Sequence, residues 1–155
     1  KAFNPEFYRD LTGGSLEPVL NTMKIIREQG VWLEIVTLLV PGRNDSEAEV
    51  RSLARWIREN LGPDVPLHFS RFHPQHKMLD SPPTPVETVI RARRIALDEG
   101  LHFVYTGNVA YPPGETTYDP ASGEAAIERR GHFVVRNNMT GGRGPGGSAI
   151  PGLWE

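Results

Sequence analysis

The chain contains no cysteine. Without thiols it forms no disulfide, and it offers no thiolate ligand to a zinc ion or an iron–sulfur cluster. It also lacks any apolar run near the ~18 residues that a membrane-spanning helix needs, and no signal peptide opens it. The formal net charge is only −2, so charge gives no reason to expect a nucleic-acid or membrane partner. We therefore expect a cytoplasmic protein.

Hydrophobic residues make up 38% of the chain, while its 16 glycines and 14 prolines are concentrated in the last third. This distribution predicts a core formed mostly by the first part of the chain. We accordingly divide the chain into a domain of residues 1–110 and a loop-rich appendage of residues 111–155. Within the appendage, residues 127–136 are expected to form a hairpin that turns at Gly131.

Apolar side chains at spacings of three and four residues predict three helices. The first follows Ser15 and ends at Gly30, and the second follows the capping box Ser46–Glu49. The third begins with Thr84 as its cap and Pro85 in its first turn, which is the clearest helix start in the sequence.

Apolar segments between these helices predict strands, and residues 1–4 resemble the end of a further strand. The other three strands lie within residues 31–40, 66–76 and 101–106, and residues 9–14 are expected to form a loop. A repeated order of strand and helix favours a parallel sheet with right-handed crossovers, which is an α/β fold. Four strands are too few to close a barrel, so half of an open barrel is expected.

Polar residues follow these strands where each one ends. Parallel strands have their carboxyl ends along one edge of the sheet, which is where ligands commonly bind. We expect Lys1, the turn Pro41–Gly42, His73 and Asn108 at this edge. Gly107, before Asn108, permits either the close approach of a ligand or a tight turn.

Two further features near this edge have more than one interpretation. Asn44 and Asp45 either belong to a turn at the edge or cap the next helix. His73 and His76 have the spacing of a metal-binding pair, but no third ligand is evident, which disfavours a metal site.

Four longer segments point to a family. They are K-A-F-N-P at residues 1–5, W-L-E through V-P-G-x-N-D at 32–45, L-H-F-S-R-F-H-P at 67–74, and V-Y-T-G-N-V at 104–109. Together they resemble the AmmeMemoRadiSam-system radical SAM enzymes, relatives of the pyruvate formate-lyase-activating enzyme. The resemblance covers essentially the whole chain. It implies the carboxyl-terminal half of a partial (β/α), TIM-like barrel that binds S-adenosylmethionine on a [4Fe–4S] cluster and cleaves it reductively to a 5′-deoxyadenosyl radical.

The resemblance also implies roles for particular residues. Lys1, Leu38, His73 and Asn108 would lie at the cofactor, with His73 beside the S-adenosyl group, although a solvated loop position is the alternative for His73. The family's three cluster-binding cysteines are absent. We therefore expect a fragment that is inactive alone, that binds no cofactor by itself, and whose partner is the missing amino-terminal half of the barrel. A protein is a possible substrate.

Strand alternation gives a hypothesis for the inner face of the barrel. If Val36 and Leu38 point inward, as in the activating enzymes, Glu34 points inward too. A buried carboxylate needs a partner, and Arg71 on the next strand is the expected one, which makes both residues candidates to face the substrate. The alternative is that Glu34 lies exposed near the start of its strand.

The appendage has a feature of its own. Family members often carry two zinc-binding C-P-x-C-G turns, and the matching positions here are D-P-A-S-G at residues 119–123 and G-P-G-G-S at 144–148. Because both have lost their thiols, we expect a degenerate zinc-ribbon-like appendage without zinc.

Two other functions compete with the radical SAM hypothesis. One is a non-catalytic module that docks a partner protein through an open sheet edge or through the appendage. The other is a small hydrolase that uses Glu34 or Asp45 with His73, which is disfavoured because no nucleophile–base pair stands out.

Overall fold

The computed structural model describes residues 1–154 in two compact units, the first covering residues 1–109 and the second beginning at residue 110. The first unit contains helices α1 (Pro5–Phe7), α2 (Leu16–Glu28), α3 (Glu47–Asn60) and α4 (Val86–Asp98), a π-helix (Tyr8–Thr12), a 3-10 helix (His76–Met78), and strands β1 (Ile35–Leu39), β2 (Leu67–Arg71) and β3 (Val104–Gly107). The second contains α5 (Pro112–Glu115), β4 (Thr117–Tyr118), β5 (Ala125–Arg130) and β6 (Phe133–Asn137). None of the helices within residues 1–154 combines the length and apolar character needed to cross a membrane.

Strands β1, β2 and β3 form a parallel sheet in that order, which confirms the predicted α/β class. The register pairs Ile35 with Leu67 and Leu67 with Val104, so the three strands start level and end along one edge. The prediction of a strand at residues 1–4 is wrong. Asn4 instead caps α1, because its side chain accepts hydrogen bonds from two N–H groups in the first turn and Pro5 follows it.

The two faces of this sheet differ. Leu39, Leu67 and Phe69 are fully buried in a cluster with apolar side chains of α3 and α4. Burying a side chain of this size contributes about 1.5–3 kcal/mol. The alternate residues of the strands point to the opposite face. There Val36 is 53% exposed, while Leu38 packs against a second cluster that includes side chains of α1, the π-helix and α2, so this face is uncovered around Val36 but not along its whole length. We call this second face the open face.

The prediction that Thr84 caps α4 is wrong. The helix begins only after Pro85, and no side chain caps it. Thr84 is fully buried and bonds main-chain groups of the sheet instead. The capping box at Ser46 is half formed: its hydroxyl accepts the N–H of Glu49, while the Glu49 carboxylate accepts the N–H of Phe3 at 3.0 Å.

The segment before α2 also differs from its prediction. The expected loop at residues 9–14 is mostly helical, because Tyr8–Thr12 forms a π-helix that ends at Gly13 in a left-handed conformation. Ser15 lies at the cap position of α2 as predicted, but its side chain makes no capping hydrogen bond.

In the second unit, β4, β5 and β6 form an antiparallel sheet in that order. The hairpin of β5 and β6 turns at Gly131, which has a φ of 58°, as the sequence predicted. Ala126, Ile127 and Ile150 are buried, and the indole of Trp154 donates a hydrogen bond of 2.7 Å to the carbonyl of Ile150. This unit therefore has a small core of its own.

Candidate functional site

The carboxyl end of β1 is fixed by the buried side chain of Asn44, which is 3% exposed. Its Nδ2 donates to the carbonyls of Leu38 at 2.9 Å and Lys1 at 3.0 Å, and its Oδ1 accepts the N–H of Val40 at 2.7 Å. Asn44 thus holds Lys1 beside the end of β1. It does not cap α3, which is the role of Ser46.

The turn after β1 is closed by a second side chain. Asp45 accepts the N–H of Gly42 at 2.8 Å through Oδ1, and Gly42 has a φ of 68°, a conformation that glycine adopts at low cost. Of the two interpretations of Asn44 and Asp45, the turn at the sheet edge is therefore the one that the structure shows.

The ends of β2 and β3 meet at the same edge. The Nδ2 of Asn108 donates to the carbonyl of Arg71 at 3.2 Å, and Asn108 has a φ of 60°, which asparagine tolerates better than most residues. His73 comes two residues after the end of β2 and is exposed. The edge thus brings together the main chains at Leu38, Lys1, Arg71 and Asn108.

Neither the close approach of a ligand nor a tight turn explains the glycine at position 107. A Cβ at this position would lie 2.7 Å from the Oγ of Ser70 on β2, whereas its backbone is not left-handed. The residue therefore allows Ser70 to lie close to β3. The hydroxyl of Ser70 is on the open face, because Ser70 pairs with Leu38 of β1 and alternates with the buried Phe69.

The predicted pair of Glu34 and Arg71 is wrong. The register places Arg71 opposite Leu39, so it alternates with residues of the open face and lies at the far end of the strand from Glu34. The Nε of Arg71 donates instead to the carbonyl of Thr84 at 2.7 Å. Glu34 precedes β1 and its side chain is 46% exposed, as the alternative interpretation held.

Glu34 contacts two other side chains. Its Oε2 lies 2.9 Å from the Nε2 of His68, and its Oε1 accepts a hydrogen bond of 3.0 Å from the indole N–H of Trp32. The ring of His68 in turn stacks on that of Tyr105, with 4.9 Å between centroids and 24° between planes. Because His68 pairs with Val36 on one side and Tyr105 on the other, this array lies on the open face and runs from the residues before β1 across β2 to β3.

Sequence reasoning missed His68 and Tyr105. The alternation of side chains along each strand could have indicated their face. His68 lies between Leu67 and Phe69, both fully buried, so its side chain points to the opposite face of the sheet. Tyr105 likewise lies between the buried Val104 and Thr106. Their stacking could not be read from spacing alone, because it depends on the register between β2 and β3.

Two titratable groups beside the Lys1 segment have shifted pKa values. Burial raises the pKa of the Tyr8 phenol, and a hydrogen bond with the Ala2 main chain opposes this only in part. Burial also raises the pKa of Glu49, against the N–H of Phe3 and the side chain of Asn4, which favour the charged carboxylate. We assign neither group a chemical role.

The metal-ligating side chains of the chain limit which cofactors it can hold. Among residues 1–154, no group of three or more histidine, aspartate or glutamate side chains is placed to hold a metal ion. A [4Fe–4S] cluster needs thiolates, and the sequence has none. The residues therefore do not fit such a cluster, and no step of its chemistry belongs to this chain.

In the second unit, the turns at residues 119–123 and 144–148 converge on Asp119, which is fully buried. Its carboxylate accepts N–H groups from both turns, of Ala121 at 2.8 Å and Gly146 at 2.7 Å. Desolvation opposes the charge of Asp119, but hydrogen bonds from the Ser148 side chain and from the N–H groups of both turns outweigh it and hold its pKa below the ordinary value.

No family model matches the chain, but it is similar to one curated protein and its fold is similar to solved structures. Over 126 residues the chain is 46% identical to an uncharacterized protein of Methanocaldococcus jannaschii, MJ0808, which covers 81% of this chain. The chain spans only 38% of the length of that relative.

Among solved structures, the fold is similar to a radical SAM methyltransferase from Sphaerobacter thermophilus, with a TM-score of 0.47 and 22% identity. The match covers 66% of this chain and 28% of the methyltransferase. A likeness of this extent assigns neither a family to the chain nor chemistry to any residue.

Proposed function

We propose that the chain is part of the barrel wall of a radical SAM enzyme resembling the activating enzymes. One observation carries this proposal: helices cover one face of a parallel sheet, while polar side chains gather on the open face and at the carboxyl edge. In (β/α) barrels, ligands bind at that edge. The four family-like segments of the sequence supply strands and edge turns of this same region, which supports the proposal independently.

The edge provides groups that suit the adenosyl part of S-adenosylmethionine. The amide of Asn108 and the imidazole of His73 donate and accept hydrogen bonds, as adenine and ribose require, and Leu38 adds apolar surface beside Lys1. When bound, S-adenosylmethionine supplies a 5′-deoxyadenosyl radical on reductive cleavage. The task of this chain is to bind and orient the adenosyl group and to exclude water from one side of it.

The rest of the activity requires residues outside this chain. Since the chain has no thiol, the cluster is held by the amino-terminal half of the barrel, which we propose as the main partner. Alone, the chain binds S-adenosylmethionine weakly or not at all and is inactive. A protein is the proposed substrate class, by analogy with the activating enzymes.

The test compares the intact gene product with the isolated chain. Each is purified without oxygen and incubated with S-adenosylmethionine and dithionite, and 5′-deoxyadenosine is measured by mass spectrometry. We expect it from the intact gene product and none from the isolated chain. A stoichiometric cluster on the isolated chain, or an intact gene product that holds a cluster but makes no 5′-deoxyadenosine, contradicts the proposal.

A matched pair of variants tests whether S-adenosylmethionine binds at the carboxyl edge. Asn108→Ala removes a side-chain amide from the edge, and we expect the KM for S-adenosylmethionine to rise about 3- to 10-fold, as for the loss of one hydrogen bond. Asn60→Ala removes an exposed amide that bonds only the carbonyl of Trp56 on α3, and it should leave the KM unchanged. Equal effects of both variants would indicate that the edge does not bind the cofactor.

The alternative, a non-catalytic docking module, gives a different result. It requires that the reading frame encode no C-x3-C-x2-C motif and that the intact gene product make no 5′-deoxyadenosine. The exposed apolar residues of β6, Phe133, Val134 and Val135, are the surface that such a module would use.

A further inference from the structure

We infer that Glu34, His68 and Tyr105 form a proton-accepting site on the open face, which takes a substrate with an O–H or N–H group next to an apolar or aromatic body. In this site Glu34 is a positioning residue, and His68 is the group that accepts the proton. The inference rests on the proposed function, because the open face borders the substrate only if it faces the interior of a barrel.

The position of His68 is fixed from two sides. Both carboxylate oxygens of Glu34 are engaged, one by the indole of Trp32 at 3.0 Å and the other by the Nε2 of His68 at 2.9 Å. Since a carboxylate only accepts hydrogen bonds, the neutral imidazole carries its hydrogen on Nε2. The stacked ring of Tyr105 restricts rotation of the imidazole about its own axis.

The other ring nitrogen is left to receive a ligand. With its hydrogen on Nε2, His68 keeps a lone pair on Nδ1, and no residue among 1–154 forms a hydrogen bond with that atom. The side chain of His68 is 29% exposed, so a small molecule can reach it. Its Nδ1 therefore acts as an acceptor toward the open face.

The surroundings decide the class of substrate. Val36, which pairs with His68, is 53% exposed, and Leu38 is half-buried on the same face. These side chains favour an apolar or aromatic body beside the polar group. In the transfer, the substrate O–H or N–H bond breaks and an N–H bond forms at Nδ1. The electron pair stays on the substrate, and the Glu34 carboxylate stabilises the resulting imidazolium.

The chain offers a matched control in a second pair of histidine and carboxylate. His102 contacts Asp64 through Nδ1 at 2.8 Å, so it carries its hydrogen on the opposite nitrogen from His68. Both side chains of that pair are exposed, and Asp64 and His102 lie outside the strands of the sheet.

The experiment measures the side-chain nitrogen resonances of both histidines by NMR in the isolated chain at a pH where the imidazoles are neutral. We expect the Nε2–H form for His68 and the Nδ1–H form for His102. Glu34→Ala should move only His68 toward the mixture of forms of free imidazole, and Asp64→Ala should move only His102. The Nδ1–H form at His68 would overturn the inference.

Ligand recognition is then tested with phenol, an aromatic ring that carries an O–H, and with anisole, which has a methyl ether in its place. Phenol should shift the Nδ1 resonance of His68 and leave His102 unchanged, anisole should shift neither, and Glu34→Ala should weaken the phenol response about threefold or more. An equal response to anisole, or an equal response at His102, would overturn the inference. Because no cofactor is present, these results are separate from the 5′-deoxyadenosine assay, whose failure would instead refute the proposed function.

Discussion

The hydroxyl of Thr84 donates a hydrogen bond of 2.6 Å to the carbonyl of Leu39, 45 residues earlier in the chain. The same oxygen accepts the N–H of Phe72 at 3.2 Å. One buried side chain thus joins the carboxyl ends of β1 and β2, directly before His73. The geometry of the proposed cofactor-binding edge therefore depends on a residue that is not part of either strand.

Thr84→Val keeps the shape of the side chain and removes both hydrogen bonds. We expect the free energy of unfolding, measured by urea titration, to fall by about 1–3 kcal/mol, because buried main-chain groups of Leu39 and Phe72 lose their partner. Thr84→Ser keeps the hydroxyl and removes one methyl group, so it should cost only about 0.8 kcal/mol. A valine variant as stable as the serine variant would show that the hydroxyl does not hold the edge together.

Asn44→Ala removes the three hydrogen bonds that fix Lys1 and the turn after β1. We expect a loss of at least about 2 kcal/mol in the free energy of unfolding, since several main-chain groups near the buried Asn44 are left unpaired. Asn60→Ala is the control, because it loses one exposed hydrogen bond and should change stability by less than about 0.5 kcal/mol. Similar losses in the two variants would contradict the structural role of Asn44.

Two single-cysteine variants at adjacent positions test whether the open face is accessible to solvent. Val36→Cys and Thr37→Cys differ by one position, but residue 36 is 53% exposed and residue 37 is 3% exposed on the helix-covered face. Since the chain has no other cysteine, iodoacetamide should label the Val36→Cys variant at least about tenfold faster under native conditions, because the buried thiol reacts only after local opening. Equal rates in the native chain, with equal rates also in urea, would contradict the assignment of the faces.

Asp119 gives the second unit a dependence on pH. Its folded pKa is depressed below the ordinary value of 3.8, so its stabilising effect is complete above that pH and is lost as the pH falls through the folded pKa. Asp119→Asn should therefore speed amide exchange at Gly146 at neutral pH, and the difference from the wild type should shrink in strong acid. Asp80→Asn changes an exposed carboxyl and serves as the control. A difference that is unchanged in acid would contradict the role of the charge.

The sequence was sufficient for features that depend on local patterns. The repeated order of strand and helix predicted the parallel sheet, and Gly30 after α2 and Gly100 after α4 mark the same joint between a helix and the next strand. The hairpin at Gly131 was predictable for the same reason, since its turn residue adopts a positive φ that glycine favours.

Features that depend on the register between strands were not predictable. Glu34, directly before β1, contacts His68 on β2, and this contact follows from the pairing of Val36 with His68, which no single strand encodes. The sequence around Thr84 is typical of a helix cap. In the structure its hydroxyl instead forms hydrogen bonds with the buried main-chain groups of Leu39 and Phe72. In the same way, nothing in the spacing of residues 119–123 and 144–148 indicated that the carboxylate of Asp119 joins both turns.

The most direct test of the central claim is hydrogen–deuterium exchange of the intact gene product with and without S-adenosylmethionine. The account predicts slower amide exchange in the presence of the cofactor at the carboxyl edge, in peptides that contain His73 and Asn108, and no change in residues 99–102, which precede β3 at the opposite, amino end of the sheet. Binding that leaves the edge unchanged and slows exchange only elsewhere in this chain would contradict it.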